Sequence, residues 1–109
     1  MVSPWRGEVW WIDYGTPIGH EQGGRRPGLV VSADGVAGFQ LVITAPITRT
    51  EKPYPTRVRI DKPRSPSFVQ VEQLRTTSVE RFARIAGNAS EAVMDEVDRI
   101  LRYLFELRP

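Results

Sequence analysis

Residues 19–32 read GHEQGGRRPGLVVS, a polar, glycine-rich loop that runs directly into an apolar strand. Two arginines, Arg25 and Arg26, lie at the junction, and Pro27 follows them. A residue that precedes proline is restricted to extended backbone, so we expect Arg26 to lie at the entry of a strand over residues 28–33. A hydrophobic core does not need the cluster of carboxylate, amide and guanidinium groups in residues 21–26. The stretch therefore predicts a functional site.

The remainder of the chain has mainly the pattern of short strands separated by turns. Aromatic, β-branched and alternating polar and apolar runs are typical of strands, and segments rich in proline and glycine interrupt them. The predicted strands are residues 6–13, 28–33, 39–48, 56–60, 68–74 and 83–86, with a short helical turn at 78–82.

Two of the predicted strands carry positional detail. Pro46 has no backbone N–H, so the strand over 39–48 should not be fully paired there but should have an edge, a bulge or its end at that point. In the strand over 68–74, the alternation places Val69 and Val71 on one face and Gln70 and Glu72 on the other.

The last quarter of the chain changes its period. Asn88 or Ser90 is the predicted N-cap, and apolar residues then recur at three- and four-residue steps, which predicts an amphipathic helix of about four turns. These residues are Val93, Met94, Val97, Ile100, Leu101, Leu104 and Phe105. Six or seven strands and one C-terminal helix predict an α+β, mainly β fold, a small barrel or a strongly curled antiparallel sheet. A length of 109 residues predicts one domain, residues 1–109.

The composition restricts the available chemistry. The absence of cysteine excludes disulfides, thiolate metal sites and a cysteine nucleophile, and the single histidine argues against a histidine-based zinc site. We therefore expect no metal and no cofactor. The chain has neither a signal-peptide core nor a run of 18 apolar residues, so a cytoplasmic protein without membrane contact is expected.

The charge is small overall but unevenly spread. Residues 1–87 carry 12 basic and 8 acidic side chains, whereas residues 88–109 carry 3 and 5. Thirteen of the fifteen cations are arginine, whose planar fork suits phosphate. This distribution indicates a nucleic-acid or acidic-peptide partner, although an ordinary solvated basic surface explains the same numbers.

Three polar clusters could carry chemistry, at residues 21–26, 48–49 and 72–76. Each has a structural interpretation as well. Arg26 could be a surface arginine beside a strand, and Thr48 could be a threonine that ends one. Glu72 and Arg75 could form an exposed cross-strand charge pair, which would contribute at most ~1 kcal/mol.

Four segments together resemble the MazF/PemK toxins of bacterial toxin–antitoxin modules. They are RGEVW at 6–10, GHEQGGRRP at 19–27, APIT at 45–48 and VEQLRT at 71–76. The resemblance spans nearly the whole chain. It implies an SH3-like barrel with a C-terminal helix, a fold that CcdB-type toxins share. It also implies that the protein is a sequence-specific, metal-independent endoribonuclease. It also implies a homodimer that a partner antitoxin inhibits. The alternatives are a non-enzymatic CcdB-like toxin that binds gyrase and a barrel-type module that binds peptides.

The same resemblance assigns catalytic roles. Arg26 aligns with the catalytic arginine and Thr48 with the catalytic threonine of the family. Cleavage of RNA without a metal uses the neighbouring 2′-hydroxyl as the nucleophile and leaves a 2′,3′-cyclic phosphate and a 5′-hydroxyl. Arginine, with a pKa above about 12, is a poor base, so Glu21 is the candidate general base.

Recognition of single-stranded RNA would fall to polar side chains around this pair. Carboxamide and carboxylate groups read the edges of splayed bases, and arginines hold the phosphate backbone. His20 stands where the family commonly has serine, and three roles stay open: proton transfer, a base contact, or an exposed loop position. The predicted RNA-binding residues are His20, Gln22, Arg25, Pro46, Arg49, Glu72 and Gln73. An acidic, disordered antitoxin segment is expected to occupy the same groove.

Overall fold

In residues 3–108, which the computed structural model describes, seven antiparallel strands form a strongly curled sheet and one α-helix packs against it. The strands are β1 (Glu8–Asp13), β2 (Arg25–Val30), β3 (Leu41–Thr48), β4 (Arg57–Ile60), β5 (Ser67–Gln70), β6 (Arg75–Ser78) and β7 (Phe82–Asn88), and the helix is α1 (Glu91–Leu104). Short 3₁₀ turns lie at Asp34–Phe39, Val71–Gln73 and Val79–Arg81.

The strand order is β4–β5–β3–β2–β1–β7, and β6 pairs with β3 beside this path. The sheet curls without closing, because β4 and β7 remain at its two ends. The predicted α+β, mainly β fold with a C-terminal helix is therefore confirmed. The helical turn predicted at 78–82 is confirmed as well.

Pro46 lies inside β3 at the point where that strand changes partners. The β6 ladder ends at Thr44, and the β5 ladder begins at Ile47. A residue without an N–H fits the gap between the two ladders, so the predicted incomplete pairing is confirmed. The carbonyl oxygen of Pro46 accepts a hydrogen bond from Nε2 of the buried Gln70 at 3.4 Å.

Most predicted strand boundaries differ from the structure by one to four residues, and two of them affect the site. β2 begins at Arg25, not at residue 28, because the two arginines already pair with β1. The strand predicted over 68–74 ends at Gln70, where the chain turns into Val71–Gln73. All four residues of β5 are buried, the polar Gln70 among them, so both faces of this strand are covered.

The helix covers one face of the sheet. The Ser90 hydroxyl accepts the N–H of Val93 at 3.2 Å and forms the N-cap, whereas Asn88 is still part of β7. Val97 and Ile100 of α1 are buried in the main core, as the periodicity predicts. A smaller cluster on the other face comprises Ile12, Tyr14, Val30, Val42 and Phe82. No helix within residues 3–108 is long and apolar enough to cross a bilayer.

Candidate active site

The β2–β3 ladder places Arg26 and Thr48 on the same face of the sheet, just beyond its last pair. Gly28 of β2 pairs with Pro46 of β3 at the end of the ladder. Residues two positions apart along a strand project from the same face, so Arg26 shares the face of Gly28 and Thr48 shares the face of Pro46. Both side chains therefore lie on one face, where the two strands separate.

Thr48 is held from its other side by β5. It pairs with Phe68, and its Oγ1 accepts the backbone N–H of Thr50 at 3.2 Å. A threonine hydroxyl both donates and accepts, so this contact leaves the O–H hydrogen for another acceptor.

The Arg26 guanidinium is half-buried and points out of the strand end. Its Nε donates to the carbonyl oxygen of Gly23 at 2.9 Å, which orients the plane of the fork. In the described part of the chain its two Nη groups have no hydrogen-bond partner. Burial lowers the pKa of Arg26 below its ordinary value, and the nearby Tyr14 acts in the opposite direction. The site therefore presents guanidinium donors beside a hydroxyl.

A buried tyrosine forms the floor of this site. The Tyr14 hydroxyl lies 2.7 Å from Oγ1 of Thr44, which in turn lies 3.0 Å from Oγ1 of Thr77. Gly28 leaves room for the phenol, since a Cβ on that residue would lie 2.1 Å from the Tyr14 oxygen. Burial raises the pKa of Tyr14 to about 12, outweighing the opposing effects of Thr44, Arg75 and Arg26.

Because the Tyr14 phenol is buried, we expect the protein to lose stability at alkaline pH. In the unfolded chain Tyr14 ionises near its ordinary pKa of 10.0, and in the folded protein near 12. Between these values the unfolded state releases its proton first, so the free energy of unfolding should fall by about 2 kcal/mol as the pH rises from 10 to 12. Urea unfolding across this range measures it. The variant Tyr14→Phe should lack this part of the decline, and an identical decline in the variant would contradict the assignment.

The loop between β1 and β2 is fastened by two side chains from the segment that leads into β6. Arg75 donates from Nη1 to the carbonyl oxygens of Tyr14 at 3.1 Å and Gln22 at 3.4 Å, and its guanidinium carbon lies 5.3 Å from the Tyr14 ring centroid. Gln73 donates to the carbonyl oxygen of His20 at 3.1 Å and accepts the N–H of Gln22 at 3.4 Å. This clamp orders the loop that supplies Gly23, the partner of Arg26.

Removal of the clamp should loosen the loop without unfolding the sheet. A hydrogen bond from a charged donor contributes about 1.5–3 kcal/mol, so we expect the variant Arg75→Met to exchange the amide hydrogens of residues 15–24 at least about tenfold faster. Hydrogen exchange followed by mass spectrometry measures this change. The matched control, Arg102→Met on the exposed side of α1, should leave exchange in the loop unaltered.

The other predicted residues of the loop between β1 and β2 are His20, Glu21 and Gln22. Their hydrogen bonds are made within the loop or to the side chains that fasten it. His20 is exposed, and its carbonyl oxygen is held by Gln73. The Glu21 carboxylate accepts the N–H of Ile18 at 3.1 Å within the loop itself. Gln22 is half-buried and held through its backbone, which leaves its carboxamide for other partners. The roles predicted for these three side chains stay predictions.

Glu72 has partners that the sequence did not indicate. Its carboxylate accepts a hydrogen bond from Thr56 at 2.7 Å and from Nε of Arg57 at 2.8 Å. Partial burial alone would raise the pKa of the Glu72 carboxyl, but these hydrogen bonds outweigh it and lower the pKa. The proposed charge pair between Glu72 and Arg75 is wrong, because Arg75 points to the loop instead.

Arg25 and Arg49 leave the strand ends on the side opposite Arg26. Arg25 pairs with Asp13 of β1, one position from Arg26, so its side chain projects from the other face. Arg49 follows Thr48 and lines a cavity on that second face. Arg26 and Thr48 thus lie on one face of the strand ends, and Arg25 and Arg49 lie on the other.

A tetrahedral or phosphoryl oxyanion suits this face of the sheet, because it carries charged N–H donors from Arg26 and a hydroxyl from Thr48. Among the described residues, no three His, Cys, Asp or Glu side chains lie close enough to hold a metal ion. The site's own chemistry is therefore that of a guanidinium, a hydroxyl and the nearby loop carboxylate.

Sequence reasoning missed the parts played by Tyr14, Gly28 and Arg75. A glycine inside an otherwise apolar strand is a recognised sign of close approach by another group, so Gly28 carried a usable signal. Tyr14 and Arg75 carried none, since they meet across 61 positions of the sequence.

Comparisons with known proteins agree on one family. Residues 5–105 match the family model described as PemK-like, MazF-like toxin of type II toxin–antitoxin system. The endoribonuclease EndoA of Bacillus subtilis is 33% identical over 106 residues, covering 89% of this chain and 90% of that protein. The endoribonuclease MazF9 of Mycobacterium tuberculosis is 30% identical, covering 94% and 96%. The crystal structure of MazF from Deinococcus radiodurans superposes with a TM-score of 0.85 at 31% identity, over 97% of this chain and 99% of that one.

Proposed function

The chain belongs to the PemK-like, MazF-like toxin family of type II toxin–antitoxin systems, and from this premise we propose how its residues act on RNA. Its relatives EndoA and MazF9 are endoribonucleases, so the chain is an endoribonuclease toxin, not a CcdB-like protein that binds gyrase or a peptide-binding module. The observation that supports the assignment of the site is that Arg26 and Thr48 lie on the same face of the sheet, just beyond the last pair of β2 and β3.

The reaction that fits this pair is internal attack by the 2′-hydroxyl on the adjacent phosphorus. The bond from phosphorus to O2′ forms while the bond to O5′ breaks, giving a 2′,3′-cyclic phosphate and a 5′-hydroxyl end. Negative charge grows on the non-bridging oxygens, where the Nη groups of Arg26 would donate. The Thr48 hydroxyl would donate to the same phosphate and fix its orientation.

Proton transfer needs a further group. The 2′-hydroxyl must release its proton, and the departing O5′ must gain one. Glu21 is the candidate acceptor, since it is the carboxylate on the loop that also supplies Gly23 to Arg26. Such a role requires the loop to carry Glu21 away from the N–H of Ile18 when RNA binds.

Partners follow from the family and from this site. The RNA is single-stranded, because base edges are accessible there and buried in a duplex. Crystal structures of MazE–MazF from Deinococcus radiodurans resemble this chain, one at 29% identity with a TM-score of 0.81, and the partner here is likewise an antitoxin. We assign residues 1–109 to a single toxin domain that acts as a homodimer in the cytoplasm, where mRNA is translated.

A cleavage assay with single-stranded RNA in EDTA tests the proposal. We expect cuts at a short recurring sequence, with 5′-hydroxyl and 2′,3′-cyclic phosphate ends, and no cutting of the same sequence annealed to its complement. Loss of cutting in EDTA would contradict the metal-independent mechanism. An intact RNA pool together with inhibition of gyrase would favour the CcdB-like alternative.

A further inference from the structure

A second basic surface lies behind the active site, on the other face of the same strand ends. A cavity of about 740 Å³ is lined by Trp11 and by Arg25, Arg81 and Arg84. A smaller cavity of about 200 Å³ is lined by Trp11 again and by Arg49 and Arg64. Trp11 borders both cavities, and we refer to the pair of cavities as the Trp11 groove.

The arginines of the Trp11 groove are not neutralised by neighbours. None of the five forms a salt bridge within residues 3–108, although the carboxylates of Asp13 and Glu80 also line the larger cavity. Arg81 donates only to the backbone carbonyl of Asp13, at 3.1 Å. The groove therefore carries an excess of positive charge, and the fold does not require all of it for internal contacts.

Trp11 gives the groove an aromatic wall. The guanidinium carbon of Arg84 lies 5.6 Å from the centroid of the Trp11 ring, so the wall already carries a cation–π contact. Flat aromatic and guanidinium planes beside free cations are the combination that holds single-stranded nucleic acid, by stacking of bases and by contacts to phosphate.

The groove and the catalytic pair share one end of the sheet. Side chains alternate faces along a strand, so Arg26 and Thr48 project from one side while their neighbours Arg25 and Arg49 project from the other. An RNA strand that is cut on the face of Arg26 and Thr48 would continue past the ends of β2 and β3 directly into the Trp11 groove. Arg25 and Arg49 lie at that corner.

We infer that the Trp11 groove binds the nucleotides that flank the cleaved bond, an inference that rests on the proposed endoribonuclease function. The groove increases affinity for longer RNA and does not contact the reacting atoms. An acidic antitoxin segment would complement the same positive charge and is therefore the alternative occupant of the groove. The experiment separates RNA binding from antitoxin binding.

The experiment compares RNA of 5 and 15 nucleotides around a mapped cut site, each blocked by a 2′-O-methyl group at the cut nucleotide. In the wild-type protein the longer RNA should bind about tenfold or more tightly. The double variant Arg64→Gln/Arg84→Gln should reduce this ratio of dissociation constants to near one. It should also lower the slope of log affinity against log salt by about 1.4, or about 0.7 for each lost phosphate contact.

The control variant Arg102→Gln/Arg108→Gln removes the same net charge from exposed positions at the far end of α1. It should keep the wild-type ratio. An equal ratio in wild type and groove variant would overturn the inference, as would a groove variant that weakens antitoxin binding but not RNA binding. Since the blocked RNA is never cut, either result leaves the cleavage assay, and hence the proposed function, to be judged separately.

Discussion

Replacement of Arg26 by alanine should lower the rate of RNA cleavage about 100- to 1,000-fold, because it removes donors aimed at the charge that develops on the phosphoryl oxygens. The affinity for uncut RNA should change much less than the rate, since these contacts strengthen only in the transition state. Single-turnover kinetics with saturating enzyme, together with binding of 2′-O-methyl RNA, separate the two effects. The variant should unfold in urea close to wild type, because the guanidinium is only half-buried.

Two further variants locate the effect in the fork itself. Arg26→Lys keeps the positive charge but loses the planar fork and its bond to Gly23, so it should not restore the rate. Thr48→Val removes one neutral donor to the same phosphate, so its rate should fall about 100-fold, the low end of the range for one lost oxyanion donor. If Arg26→Lys cleaves RNA at the wild-type rate, charge alone suffices and the geometric assignment of Arg26 fails.

Gly28→Ala should destabilise the fold by about 1–3 kcal/mol, the usual range for an overpacked core. The added Cβ would lie 2.1 Å from the Tyr14 hydroxyl oxygen and 2.8 Å from Cδ1 of Ile12, both of which are buried. Urea unfolding should show a lower midpoint with an unchanged slope. The control Gly35→Ala, with nothing within 4 Å of the added Cβ, should stay within about 0.5 kcal/mol of wild type.

A double variant identifies the source of the strain. Tyr14→Phe removes the atom nearest to the new Cβ, so Tyr14→Phe/Gly28→Ala should lose less stability than the sum of the two single variants. Strict additivity would show that the phenol oxygen is not what Gly28 accommodates. The role of Gly28 as the residue that admits Tyr14 to the site floor would then be wrong.

The two parts of the site differ in how far the sequence could predict them. The family segments identify Arg26 and Thr48, and the proline after Arg26 predicts its place at a strand entry. Their common face at the end of the β2–β3 ladder, by contrast, depends on the register between the two strands. The sequence does not show that register directly, because it is set by which apolar side chains fill the core on each face.

Local sequence patterns predict most of the secondary structure. Alternation, the break at Pro46, the cap at Ser90 and the three- and four-residue steps of α1 each depend on residues within a few positions of one another, so the sequence alone predicts the mainly β fold with its closing helix. The pairing of Glu72 with Arg57, the clamp by Arg75 and the phenol beneath Gly28 join side chains 14 to 61 positions apart. Only the tertiary structure decides such contacts, because distance along the chain carries no information about which buried or charged groups the curled sheet brings within hydrogen-bonding range.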